Sequence, residues 1–172
     1  MCCAPCSTYS IKRFRELGYF IHGYFYNPNI HPYKEFQRRL ETLESYCLQE
    51  EIPLTVQKSY ELELFLQRAI ANIKERCREC YTLRLTEAAR KAAELGFEQF
   101  STTLTISPYQ NHDLLKEVGE VAAARYGVKF IYEDLRPGYK ESIELSKNNN
   151  LYRQPYCGCI FSEKDRYYKE GK

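Results

Sequence analysis

The chain's 172 residues suffice for one ordinary domain, residues 1–172, with a core of its own, so its eight cysteines are not needed as covalent staples. Lys and Arg number 25 against 23 Asp and Glu, which excludes a global basic field for nucleic acid and leaves only a local basic face for such a partner. No charged and apolar leader opens the sequence, and no apolar run approaches the roughly 18–20 residues of a membrane span, so the expectation is a cytosolic protein with reduced thiols.

Clustered cysteines in a reducing compartment point to metal or redox chemistry. Three of them, Cys2, Cys3 and Cys6, stand ahead of any expected element. Thr8 to Leu17 has the spacing of a short helix, with Ser7 or Thr8 as its cap and Gly18 as its stop. Tyr19 to Tyr26 reads as an aromatic-rich strand ended by Asn27-Pro28-Asn29. A helix fits Tyr33 to Glu50 through Phe36, Leu40, Leu43, Cys47 and Leu48. A short strand follows at Ile52 to Val56. Glu61 to Ile73 predicts a helix whose inward positions are Leu62, Phe65, Leu66, Ala69, Ile70 and Ile73.

The clearest helix runs from about Cys77 to Leu95 and stops at Gly96. Phe97 to Thr103 reads as a strand, Ser107-Pro108 opens a helix to about Tyr126, and Val128 to Tyr132 is a further strand. A helix over Tyr139 to Lys147, the polar Asn148 to Asn150, a last cysteine pair and a charged tail complete the chain. Strands alternating with helices predict an α/β fold, a parallel sheet with helices on both faces and its site at the carboxyl ends of the strands. On that scheme the first cysteines occupy a strand-to-helix loop, so the first strand is expected to be missing.

The thiols form a CCxxC (Cys2, Cys3, Cys6), a CxxC at a helix mouth (Cys77, Cys80) and a CxC about Gly158 (Cys157, Cys159). A helix N-terminus favours thiolate, the metal-binding form, which marks Cys77 and Cys80 as ligands. Seven thiols exceed the four ligands of one tetrahedral zinc, and adjacent Cys2 and Cys3 point different ways along an extended chain, one toward each of two centres. Iron–sulfur is favoured over a zinc site with spare cysteines or a dithiol pair. Cys47, on an apolar helix stripe, reads as an inert core thiol. His22 reads as a satisfied core histidine; His31 and His112 carry no assigned role. The 16 tyrosines either stack on bases or fill the core.

Four blocks in order carry a resemblance over almost the whole chain: Cys2-Cys3-Ala4-Pro5-Cys6-Ser7-Thr8; Cys77-Arg78-Glu79-Cys80-Tyr81 with Arg84-Leu85; Ser101-Thr102-Thr103-Leu104 with Ser107-Pro108-Tyr109-Gln110; and Tyr152-Arg153-Gln154-Pro155-Tyr156-Cys157-Gly158-Cys159. In these the sequence resembles the cobalamin-independent epoxyqueuosine reductases (QueH type). The resemblance implies an adenine-nucleotide-alpha-hydrolase-like (HUP, Rossmann-like) fold and reduction of epoxyqueuosine to queuosine at the wobble position of tRNA. It also implies a 4Fe-4S cluster with an adjacent mononuclear iron, divided among Cys2, Cys3, Cys6, Cys77, Cys80, Cys157 and Cys159. The partners it implies are a tRNA anticodon stem-loop and an external electron donor such as ferredoxin or flavodoxin, with no membrane.

Within that reading, Tyr109, Tyr156 and Asp113 are candidate proton donors. Tyr109 and Gln110 are candidates to contact the flipped base. Arg153, beside the CxC loop, and Arg84, on the helix face of Cys80, are further substrate-binding candidates, with Arg76 and Arg78 clustered nearby. The competing function is a non-catalytic, zinc-stabilised RNA-binding module. A sulfur transferase that uses ATP would need a Gly-rich SGGxDS loop, which the sequence lacks.

Overall fold

The computed structural model describes residues 1–169, and the end of the charged tail, 170–172, lies outside the described residues. Seven helices and four short strands alternate among them: α1 (Ala4–Glu16), β1 (Gly23–Phe25), α2 (Tyr33–Gln49), β2 (Leu54–Val56), α3 (Leu62–Ala71), α4 (Arg76–Glu94), β3 (Gln99–Phe100), α5 (His112–Tyr126), β4 (Lys129–Phe130), α6 (Tyr139–Asn148) and α7 (Ile160–Tyr167). Both pairings are parallel, as the alternation predicts, but they form two separate two-stranded sheets, β1 with β2 and β3 with β4.

Each sheet has its own core. Phe25 packs with Ile11 of α1 and with Phe36, Leu40 and Leu43 along one stripe of α2. Phe100 and Phe130 pack with Leu85 and Ala89 of α4 and with Leu115 and Val118 of α5. The first residues join the halves. The Met1 nitrogen donates to the Tyr24 carbonyl at 2.6 Å, the Asn27 side chain donates back to the Met1 carbonyl at 2.9 Å, and the Cys2 amide reaches Thr103 Oγ1, just past β3, at 3.3 Å. Met1 to Cys3 are therefore fastened to both halves, although among the described residues they form no regular strand ahead of α1.

Several expected boundaries move. The first cysteines do not precede all structure: Cys3 is the N-cap of α1 and Cys6 lies in its first turn, because Pro5 is pre-set for a helix start. Ser7 and Thr8 are inside the helix rather than capping it, their hydroxyls donating to the carbonyls of Cys3 and Pro5. The Ser107-Pro108 pair does not open α5; its cap is Asn111, whose Oδ1 accepts from the Leu114 amide at 3.0 Å. Residues 103–106 instead close a 3-10 turn. α3 turns only Phe65 and Ala69 fully inward and leaves Ile70 exposed, and Ile73 lies beyond it, exposed, in a 3-10 turn. The strands are two or three residues long, shorter than the apolar runs that announced them, because the flanking residues leave the ladder for loops that build the site.

A cleft of about 190 Å³ is lined by Tyr24 of β1, by Gln99 and Phe100 of β3, and by Phe14, Phe20, Ile21 and Phe97; no cysteine lines it. No helix among the described residues is long and apolar enough to cross a membrane.

Candidate metal and active site

The site gathers where the segments beyond β1 and β3 meet the start of α1, the start of α4 and the loop ahead of α7. The α1 turn brings Cys2, Cys3 and Cys6 together, their ligand atoms all within 4.8 Å of one another, with the Cys2 and Cys3 sulfurs 3.6 Å apart. This is the one such group of three or more His, Cys, Asp or Glu ligand atoms among the described residues. The three thiols share a charge. Hydrogen bonds from Cys3 and Cys6 hold the Cys2 thiol well below its ordinary range, with Arg84 adding to the effect. Burial pushes Cys3 up, and the hydrogen bond with Cys2 pushes Cys6 up.

Cys77 and Cys80 lie one turn apart at the start of α4, as the sequence predicts. Burial pushes the Cys80 thiol up to about 12, with the Arg84 charge acting in the opposite direction. Cys80 packs with Cys159 in one apolar cluster with Phe65 and Phe161, and the charges of Cys157 and Cys159 act on both Cys77 and Cys80. Cys157 in turn feels Arg84 and Cys2. All eight cysteines are free thiols. Cys47 is buried on α2, away from these clumps, its thiol raised to about 11 by burial.

The CxC loop is fastened from behind. Arg39, whose side chain is 1% exposed, pairs with Glu35 at 2.7 Å and donates to the carbonyls of Cys157 at 2.9 Å and Tyr156 at 3.1 Å. The His31 amide donates to the Gly158 carbonyl at 2.9 Å, and the Tyr156 hydroxyl donates to the His31 carbonyl. Gly158 has φ +145°, which favours glycine, and a Cβ there would stand a tight 3.1 Å from Arg39 Nη1 and 3.2 Å from Asn29 Nδ2. Beyond it Cys159 caps α7, its sulfur accepting from the Ser162 amide at 3.3 Å.

Amide donors face the sulfurs. Gln154 Nε2 donates to Cys3 Sγ at 3.0 Å and to Cys6 Sγ at 3.5 Å. Gln110 Nε2 donates to Cys157 Sγ at 3.5 Å while its Oε1 accepts from the Tyr81 hydroxyl at 2.8 Å. Arg84 Nη1 is 4.0 Å from Cys80 Sγ. A set of soft sulfur donors, buried or half-buried for the most part and met by N–H donors, fits a thiolate-bound metal group.

The other sequence candidates are placed as follows. Tyr109 is 85% exposed, its ring edge-on to Tyr139 at 6.3 Å. Arg153 is exposed near Tyr139. Asp113 lies exposed on the first turn of α5, where its charge acts on Tyr132 and Arg136. The Tyr156 hydroxyl is already engaged by His31. Arg76 and Arg78 pair with Asp165 and Glu117. His22 bonds Thr55 at 2.8 Å. Sequence reasoning passed over Gln154, Tyr81, Thr103 and Arg39. The first three lie inside the four motif blocks, and Arg39 was detectable as a charge on the apolar stripe of α2 between Phe36 and Leu43.

A family model described as "Epoxyqueuosine reductase QueH" matches residues 1–165. Among relatives of that name, the protein of Dehalococcoides mccartyi is 42% identical over 168 residues, covering 98% of this chain and 92% of the relative. That of Thermotoga maritima is 34% identical over 183 residues, covering 100% and 92%. The Helicobacter pylori protein is 40% identical over 178 residues, with 95% of this chain matched to 48% of a longer relative.

Proposed function

The chain belongs to the epoxyqueuosine reductase QueH family, and we propose that it carries out the reaction of that name, reducing the epoxide of epoxyqueuosine to the alkene of queuosine at the wobble position of tRNA. This is the last step of queuosine formation. It consumes two electrons and two protons, and the epoxide oxygen leaves as water. The observation that carries the reading is the thiol site: three sulfurs drawn within 4.8 Å of one another, in a chain matched by the family model over residues 1–165.

Cys2, Cys3, Cys6, Cys77, Cys80, Cys157 and Cys159 would hold a 4Fe-4S cluster and an adjacent mononuclear iron. When bound, such centres supply electrons singly and a Lewis acid for the departing oxygen. The chain's own residues do the rest. Gln154 and Gln110 fix the directions of three sulfurs through their N–H groups. Exposed Tyr109, edge-on to half-buried Tyr139, offers a surface for a base taken out of its stack, with Arg153 near Tyr139 for phosphate. Of the three proton-donor candidates Tyr109 and Asp113 are exposed, whereas the Tyr156 hydroxyl is held by a backbone carbonyl. Electrons come from an external carrier such as ferredoxin or flavodoxin, and the enzyme works in the cytoplasm.

Iron and sulfide analysis with UV–visible spectra of anaerobically purified protein tests the proposal. Iron and acid-labile sulfide, with the broad visible absorption of a thiolate-bound cluster, is the expected result. Stoichiometric zinc without iron would contradict it and favour the zinc-stabilised RNA-binding module.

A further inference from the structure

Two arginines are buried beside the cysteines, and only one has a carboxylate. Arg39 is neutralised by Glu35 at 2.7 Å. Arg84 is 8% exposed and forms no ion pair among the described residues. Glu87, one turn further along α4, pairs with Arg90 instead. A small cavity of about 30 Å³ that Arg84 borders is lined otherwise by Met1, Tyr24, Tyr26, Leu85, Ala88, Ser101 and Thr102, none of them acidic. An isolated buried cation is strongly disfavoured unless an anion compensates it.

The groups of opposite charge that act on Arg84 are thiols. Cys80 stands four residues earlier on the same face of α4, its sulfur 4.0 Å from Nη1, and the charges of Cys80, Cys2 and Cys157 act on the guanidinium. Those three come from three different segments, so Arg84 sits among the clumps that the fold brings together. Its burial also separates it from an RNA backbone, which places its effect on the sulfurs rather than on phosphate.

We propose that Arg84 is the counter-charge of the thiolate site, and that by balancing the negative charge on Cys2, Cys80 and Cys157 it raises the potential at which the metal group they hold accepts an electron. The inference rests on the iron–sulfur reading above. Reduction adds negative charge to a site already carrying thiolates, and a fixed cation in a poorly solvated place stabilises the reduced form more than the oxidised one. The Gln154 and Gln110 donors act in the same direction without carrying charge.

The test compares wild type, Arg84→Lys and Arg84→Gln, reconstituted anaerobically with iron and sulfide, by spectroelectrochemical titration, with far-UV melting of the metal-free proteins as a check on folding. Arg84→Gln is expected to shift the one-electron equilibrium at least tenfold toward the oxidised form, about 59 mV in midpoint, while Arg84→Lys stays within about threefold of wild type. Arg84→Gln that melts like wild type but holds no iron, where Arg84→Lys does hold it, also supports the proposal. Arg84→Gln with full iron and an unshifted midpoint overturns it, as does Arg84→Lys behaving like Arg84→Gln. If Arg84→Gln does not fold, Arg84→Lys decides, a tenfold shift overturning the proposal. Wild-type protein that forms no iron–sulfur centre would instead contradict the reading of function.

Discussion

At the scale of single residues, Arg39 is the fastener of the CxC loop. Its guanidinium serves Glu35 and two loop carbonyls at once, and Glu35 is itself only 10% exposed. Arg39→Ala is expected to lower stability by about 3–5 kcal/mol, because it leaves a buried carboxylate without its cation, and to release the loop so that iron content falls; urea unfolding of the metal-free protein and metal analysis check the two effects. His31 gives a pH dependence. Burial pushes its ring down to about 4, against the opposing effect of the Pro28 backbone. An unfolded histidine takes up its proton near pH 6.5, so this group's contribution is fully present above about 6.5 and is lost as pH falls toward 4, up to about 3 kcal/mol. Metal-free His31→Gln should show a flatter fall in unfolding free energy between pH 6.5 and 4 than wild type. The cysteines were legible because their spacing is their chemistry. Arg39, Gln154 and Arg84 take their meaning from partners more than 60 residues away, with the exceptions of Glu35 and Cys80, and spacing along the chain does not report those distant partners.

At the scale of elements, the helices were largely readable and the strands were readable only in order. α2, α4 and α6 match their apolar spacing to within a residue or two, whereas two-residue strands such as β3 and β4 hold too few ladder bonds for an apolar run to mark their ends. α7 was hidden in a charged stretch and buries no residue fully. The start of α1 was misplaced because the expected cap, Ser7 or Thr8, carries the right chemistry, yet the helix had already begun at Ala4, with Pro5 in its first turn. Packing supplies a further prediction. Gly119 of α5 lies so close to Phe130 of β4 that a Cβ there would stand 2.4 Å from the ring. Gly119→Ala should therefore lower stability by about 1–3 kcal/mol through overpacking, seen as a lower melting temperature, whereas an alanine at an exposed helical glycine would raise it.

At the scale of the whole molecule, two small α/β halves are joined by the segment that carries the first thiols. Cys2 and Cys3 pack into the core of the β3–β4 half, and Ala4, the next residue, into the core of the β1–β2 half. The metal group would thus stand at the seam, and its loading is expected to stiffen both halves together. Comparison of amide exchange in metal-free and loaded protein should show added protection in β1 and in β3 alike; protection confined to one sheet would separate the halves. The general α/β class and the place of the site beyond the strand ends were legible from alternation alone. The reaction was not, since it became legible only through four motif blocks taken together. The central claim is that this thiol site reduces epoxyqueuosine in RNA. Anaerobically reconstituted protein with a chemical reductant and an epoxyqueuosine-containing anticodon stem-loop, followed by nucleoside mass spectrometry, tests it most directly. Queuosine should appear, accompanied by loss of the mass of one oxygen atom, and its absence from a reaction with protein carrying its full iron complement would contradict the assignment.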